Sequence, residues 1–163
     1  MAENATPTNG ATAPAQLSVQ KIYIRDASFE VPSAPAIFQE AGQPQIQLNL
    51  AQKVNRYNDD GLYEVVLTVT VTCKIADKTA YLAEVQQAGV FGLSGFDAEN
   101  LEAVLGTYCP HTLYPYARQA IADLVMQGGF PPFVLQPINF EQLYAEQMRR
   151  RAAGSDAVPA GTA

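Results

Sequence analysis

The stretch Leu62-Tyr-Glu-Val-Val-Leu-Thr-Val-Thr-Val-Thr-Cys-Lys74 decides the fold. Read as an extended chain, it puts Tyr63, Val65, Leu67, Val69, Val71 and Cys73 on one face. Glu64, Val66, Thr68, Thr70 and Thr72 lie on the other. A strict period of two in β-branched residues marks a strand with one deeply buried face. Upstream, Asn58-Asp-Asp-Gly61 is a turn signal, and before it Gln45 to Val54 alternates again, with Ile46, Leu48, Leu50 and Val54 together. Downstream, Asp77-Lys78 turns the chain into a further strand over Thr79 to Phe91. Leu17 to Glu30, with Ile22, Tyr23, Ile24 and Phe29, predicts a first strand broken near Asp26, followed by a proline-rich connector around Ala36-Ile-Phe38. Strands joined by short turns imply an antiparallel meander or Greek key, because parallel strands would need long crossovers.

The second half reads as helix. Asp97 is an N-cap for a helix carrying Leu101, Val104, Leu105 and Tyr108 on one stripe. Pro110 and Pro115 are expected to interrupt or kink it, and it resumes through Leu113, Ala117, Ile121, Leu124 and Val125 to Gly128-Gly129. Phe130 to Ile138 is apolar and rich in proline, and Asn139 caps a short last helix with Phe140, Leu143, Tyr144 and Met148 as its stripe. The fold class expected is therefore α+β: a four-stranded antiparallel, Greek-key-like sheet with a long kinked helix on one face. Residues 1–16 and 152–163, poor in large apolar residues, are expected to be disordered tails around one folded unit over 17–151.

Composition narrows the function. Of 163 residues only 16% are charged, against about 25% in a typical soluble domain. Such a surface suits a chain that buries area in an oligomer or keeps apolar surface for a partner. The net charge is −6, and Arg149-Arg150-Arg151 is too short a basic cluster for nucleic acid. Two cysteines, Cys73 and Cys109, and one histidine, His111, offer no metal spacing and no nucleophilic triad. Gly92-Leu-Ser-Gly95 is not a nucleophile elbow, and no glycine-rich phosphate loop is present. No enzyme, no cofactor and no metal are expected. The N-terminus has neither a basic start nor an apolar core, and no run approaches a membrane span, so a cytoplasmic protein is expected.

Two features remain. Asp26, Glu30 and Glu84 sit in strand segments, where acids on a pleated face make a rigid negative patch for a basic partner. By pattern alone the simpler account is a solvated outer face. Phe130 to Ile138 carries no charge, and beside a strand edge it could wall a groove for extended chain; the simpler account is a second core layer.

Longer motifs carry a family resemblance. Ile22-Tyr-Ile-Arg-Asp-Ala-Ser-Phe-Glu30 with Pro32 and Ala34-Pro35, Thr79-Ala-Tyr-Leu-Ala-Glu-Val-Gln-Gln-Ala-Gly-Val-Phe91, Leu105 to Arg118, Gly129-Phe-Pro-Pro and Pro137-Ile-Asn-Phe140 together resemble SecB, the bacterial protein-export chaperone family, across Leu17 to Met148. The resemblance implies a homotetramer, a dimer of dimers, that holds unfolded precursor proteins without nucleotide and passes them to the SecA ATPase. It implies SecA contacts at Asp26, Glu30, Leu82 and Glu84. It implies a substrate groove drawn from Ile37, Phe38, Ile46, Leu48, Phe133, Leu135, Phe140, Leu143 and Tyr144. Family tails are often acidic, whereas Ala152 to Ala163 carries only Asp156. The alternatives are a binding module for a small apolar ligand and a SecB-like chaperone dedicated to a single partner such as an antitoxin.

Overall fold

In a computed structural model, described here over residues 13–155, the elements run β1 (Gln16–Glu30), a 3-10 turn (Ala36–Gln39), β2 (Gln45–Arg56), β3 (Leu62–Ile75), β4 (Lys78–Ser94), α1 (Ala98–Gly106), α2 (Tyr108–Gln127) and α3 (Phe140–Ser155). The four strands form one antiparallel sheet in the order β1-β4-β3-β2. β2, β3 and β4 follow one another as hairpins, and β1 returns beside β4 by the long connector, which is a Greek key.

Both hairpin turns follow from local chemistry. Asn58 Oδ1 accepts from the amides of Asp60 and Leu62 at 3.0 and 3.3 Å, and Gly61 takes φ +78°. Between β3 and β4, Ala76 and Asp77 hold φ +50° and +62°, the paired left-handed residues of a two-residue hairpin loop.

The alternation of β3 becomes the core. Val65, Leu67, Val69, Val71 and Cys73 are at most 2% exposed. They meet Ala83, Val85 and Phe91 of β4 and the stripe Leu113, Ala117, Ile121 and Val125 of α2. Of β4, Gly89 lies under the helix: a Cβ there would come within 3.0 Å of Leu113.

The helical half departs from the sequence expectation in two ways. The break falls at Thr107 (φ −122°, ψ −69°), not at a proline. Pro110 lies in the first turn of α2, where no amide hydrogen is needed, and Pro115 sits inside a helix that runs on to Gln127. The last helix is also not short. Asn139 Oδ1 accepts from the Gln142 amide at 3.0 Å, as its cap position requires, but α3 is 16 residues long and its end, Ser155, lies within the stretch expected to be tail. The tail expectations for 1–12 and 156–163 fall outside the described residues. α2 closes on Gly128-Gly129, where Gly129 (φ +85°) lets its own amide reach Met126 and that of Phe130 reach Val125. No described helix is long and apolar enough to cross a membrane.

Candidate functional site

Strand register sorts the sheet into two faces. Glu30 lies opposite Leu82, Ser28 opposite Glu84, and Asp26 opposite Gln86. These side chains share the face turned away from α2, because β4 buries Ala83 and Val85, between them, on the helix side. Thr70 of β3, opposite Glu84, donates its hydroxyl to Glu84 Oε2 at 2.9 Å. Ser28, Glu30, Thr70, Leu82 and Glu84 rim a depression of about 190 Å³. Asp26 stands four residues from Glu30, about 13 Å along the strand at ~3.3 Å per residue. Among the described residues no ion pair uses Asp26, Glu30 or Glu84. The register thus brings the four expected contact residues, three acids and a leucine, onto one face of the sheet.

A second polar cluster lies farther along the same face. Glu64 Oε1 accepts from Arg25 Nη1 at 2.6 Å and from Asn55 Nδ2 at 3.0 Å, and Glu64 Oε2 accepts from the Tyr23 hydroxyl. The Tyr23 hydroxyl, then Asn55 and Arg25, hold the Glu64 carboxyl below the usual glutamate value against the opposing effect of burial. Burial first, and the Glu64 carboxylate second, push Tyr23 up to about 12. No sequence motif announced this cluster, since its members come from three strands.

On the helix side of the sheet, β2 extends beyond the helices. Ile46 and Leu48 are each 37% exposed there. Further along the same face, Leu50 and Val54 join Leu67, Leu105, Phe140, Leu143 and Tyr144 around a cleft of about 480 Å³. The Tyr144 ring lies against Gly106, where a Cβ would come within 2.6 Å of it. Phe38 belongs to another cluster: it is 52% exposed, with its ring 5.2 Å from Phe130, which stands 4.9 Å from Tyr81. Phe133 is half-buried beside these segments.

The apolar loop is held from beneath. The Tyr114 hydroxyl donates to the Gln136 carbonyl at 2.6 Å, and the Tyr114 ring meets Phe140 edge-on at 5.7 Å. Two expected groove residues are therefore placed differently. Ile37 and Leu135, each 2% exposed, are core side chains anchoring the connector and the loop. Phe140, at 7%, forms the floor of the cleft. Leu50, Val54 and Leu105 were missed as lining residues. The strand alternation and the helix stripe named all three as apolar positions, but nothing in the sequence tells that β2, α1 and α3 converge. His111 is exposed, and among the described residues no group of three or more His, Cys, Asp or Glu could hold a metal.

An antiparallel sheet with helices on one face, an acidic patch on the other and an apolar cleft at its edge defines a protein-binding scaffold. The same fold occurs in a SecB-like chaperone of Mycobacterium tuberculosis, solved with a peptide from the HigA1 antitoxin; the TM-score is 0.62 at 20% identity, over 76% of this chain and 91% of that one. The family model described as preprotein translocase subunit SecB matches residues 10–151. The chain is 55% identical to the protein-export protein SecB of Xanthomonas campestris, over 98% of this chain and 95% of that protein. With the SecB of Stenotrophomonas maltophilia it shares 56% identity over 94% and 88%. The chain belongs to the SecB family and is a protein-export chaperone.

Proposed function

We propose that the chain acts as an ATP-independent holdase of the cytoplasm. In this reading it assembles as a dimer of dimers, holds unfolded precursor proteins along its apolar cleft and sheet edge, and yields them to SecA through its acidic sheet face. The observation that carries the reading is the set Asp26, Glu30, Leu82 and Glu84 on one face: three acids without ion-pair partners among the described residues, around one leucine, suit a basic partner with an apolar anchor. Apolar residues exposed along α2, Tyr108, Tyr116 and Met126, suit burial against further copies. For the cargo, burial of apolar area yields about 25 cal/mol per Å² whatever the sequence, so a long cleft accepts many unfolded segments. Several clefts on one particle convert weak binding into avidity. The M. tuberculosis chaperone, solved with a peptide, lends the fold a precedent for binding a peptide.

Charge reversal tests the reading. Asp26→Lys, Glu30→Lys or Glu84→Lys is expected to weaken SecA binding while precursor binding and the mass of the assembly stay unchanged. Equal loss of both activities would refute it, and a stable monomer in solution would refute the assembly.

The cleft volume of about 480 Å³ also lies within the range of small-molecule sites. If the cleft serves a small apolar ligand, such a ligand would occupy it at stoichiometry and an unfolded precursor would fail to displace it.

A further inference from the structure

β1 carries one extra residue inside its acidic stretch. Ile24 pairs with Gln87 and Asp26 with Gln86, which leaves Arg25 without an opposite number. Some such bulge is unavoidable. Ile22 lies opposite Gly89 and Phe29 opposite Ala83, both on the helix side of β4. Residues seven apart in a regular strand fall on opposite faces, and one inserted residue restores them to the same face.

The apolar pattern does not say where between them the extra residue goes. Ile24 is 53% exposed and Ala27 is exposed too, so neither gains much by turning toward the helix. The position matters all the same. With Arg25 as the extra residue, Asp26 points outward beside Ser28 and Glu30. Were the extra residue Ala27, Asp26 would oppose Val85 and turn to the helix side, with Phe29 and Glu30 unmoved.

We propose that Glu64 is a positioning residue that pins the bulge at Arg25 and thereby keeps Asp26 on the acidic face. Its carboxylate lies on β3 and reaches β1 across β4, where the residue opposite Tyr23 is the small Ala88. One exposed Arg–Glu pair would be a weak pin. Here Tyr23 and Asn55 already fix the carboxylate, so Arg25 meets an ordered acceptor and loses less freedom in binding it. The value of this placement rests on the SecA reading above, whereas the placement itself does not.

The test uses the full chain with paired cysteines, Asp26→Cys with Gln86→Cys and Glu30→Cys with Leu82→Cys, each with Glu64 intact and with Glu64→Ala. The native Cys73 and Cys109 are buried and do not compete. Glu64→Ala should lower the 26–86 cross-linking yield severalfold and leave the 30–82 yield unchanged. In parallel, Asp26→Asn should weaken SecA binding about two- to fivefold, the scale of one exposed charge contact, and should have no further effect once Glu64 is alanine. Glu30→Gln should keep its effect in both backgrounds. An unchanged 26–86 yield, or loss of both cross-links together, overturns the proposal; the second outcome would mean that Glu64 merely holds the sheet. If Asp26→Asn and Glu30→Gln leave SecA binding untouched in the parent, the SecA reading fails, and the cross-links still decide the role of Glu64.

Discussion

Gly128→Ala isolates a contact that joins the end of the long helix to the acidic edge strand. Gly128 has φ −73° and ψ −1°, a conformation open to any residue, and alanine near a helix end ought to be neutral or favourable by up to about 1 kcal/mol. Sterics oppose this. A Cβ at Gly128 would lie 2.1 and 2.3 Å from two atoms of the Phe29 ring, well inside van der Waals contact, so the ring must leave. Phe29 stacks on Tyr81 with centroids 5.6 Å apart, an arrangement worth about 0.5–1.5 kcal/mol beyond area. Its half-buried ring adds roughly 1 kcal/mol, half of what full burial contributes. Loss exceeds gain by about 0.5–2.5 kcal/mol, or roughly 1–10 °C in Tm for a chain of this size. Thermal unfolding at fixed protein concentration measures it, since assembly makes Tm depend on concentration. Because Phe29 adjoins Glu30, SecA affinity should fall as well. Phe29→Ala should make Gly128→Ala almost silent, the non-additivity expected of two groups in contact. A Gly128→Ala protein as stable as the parent, or costs that simply add, would refute the reasoning.

Other outcomes follow from the same geometry. Leu143→Asp, on the rim of the cleft at 45% exposure, should leave folding within about 0.5 kcal/mol, as for most surface changes. It should weaken binding of an unfolded precursor in a competition assay while SecA binding is retained. Acid should weaken the sheet through Glu64. A carboxyl whose native pKa is depressed contributes stability above its unfolded pKa and loses it as the pH falls through the native value. The parent should therefore lose stability more steeply than Glu64→Gln below about pH 4.5, the ordinary value for this group, in urea titrations run at successive pH values.

Much of the fold was legible because burial imposes a period. In β3 the alternation of Val65 through Cys73 needed no partner to be read, and the Asn58–Gly61 turn announced the hairpin before it. The helix break was misplaced for the opposite reason. Proline is a local signal, yet its cost depends on where in a helix it falls, and Pro110 falls in a first turn, where its missing amide hydrogen costs nothing. The interruption came instead at Gly106-Thr107, where the Tyr144 ring occupies the space a side chain would need and the Thr107 hydroxyl bonds back to the Ala103 carbonyl at 2.6 Å.

For the site the division is sharper. Residue types and motif order, readable in one dimension, determined the family, the acidic residues and the apolar loop. Which acids share a face depends on register, and register here turns on a single bulged residue whose anchor, Glu64, lies 39 positions away in the chain. Which apolar residues line the cleft and which become core, Leu143 against Leu135, depends on how β2, α1 and α3 converge. Both are contacts between segments distant in sequence. Hydrophobic free energy depends on the apolar area removed from water and carries no address, so only the tertiary structure could decide where those areas meet.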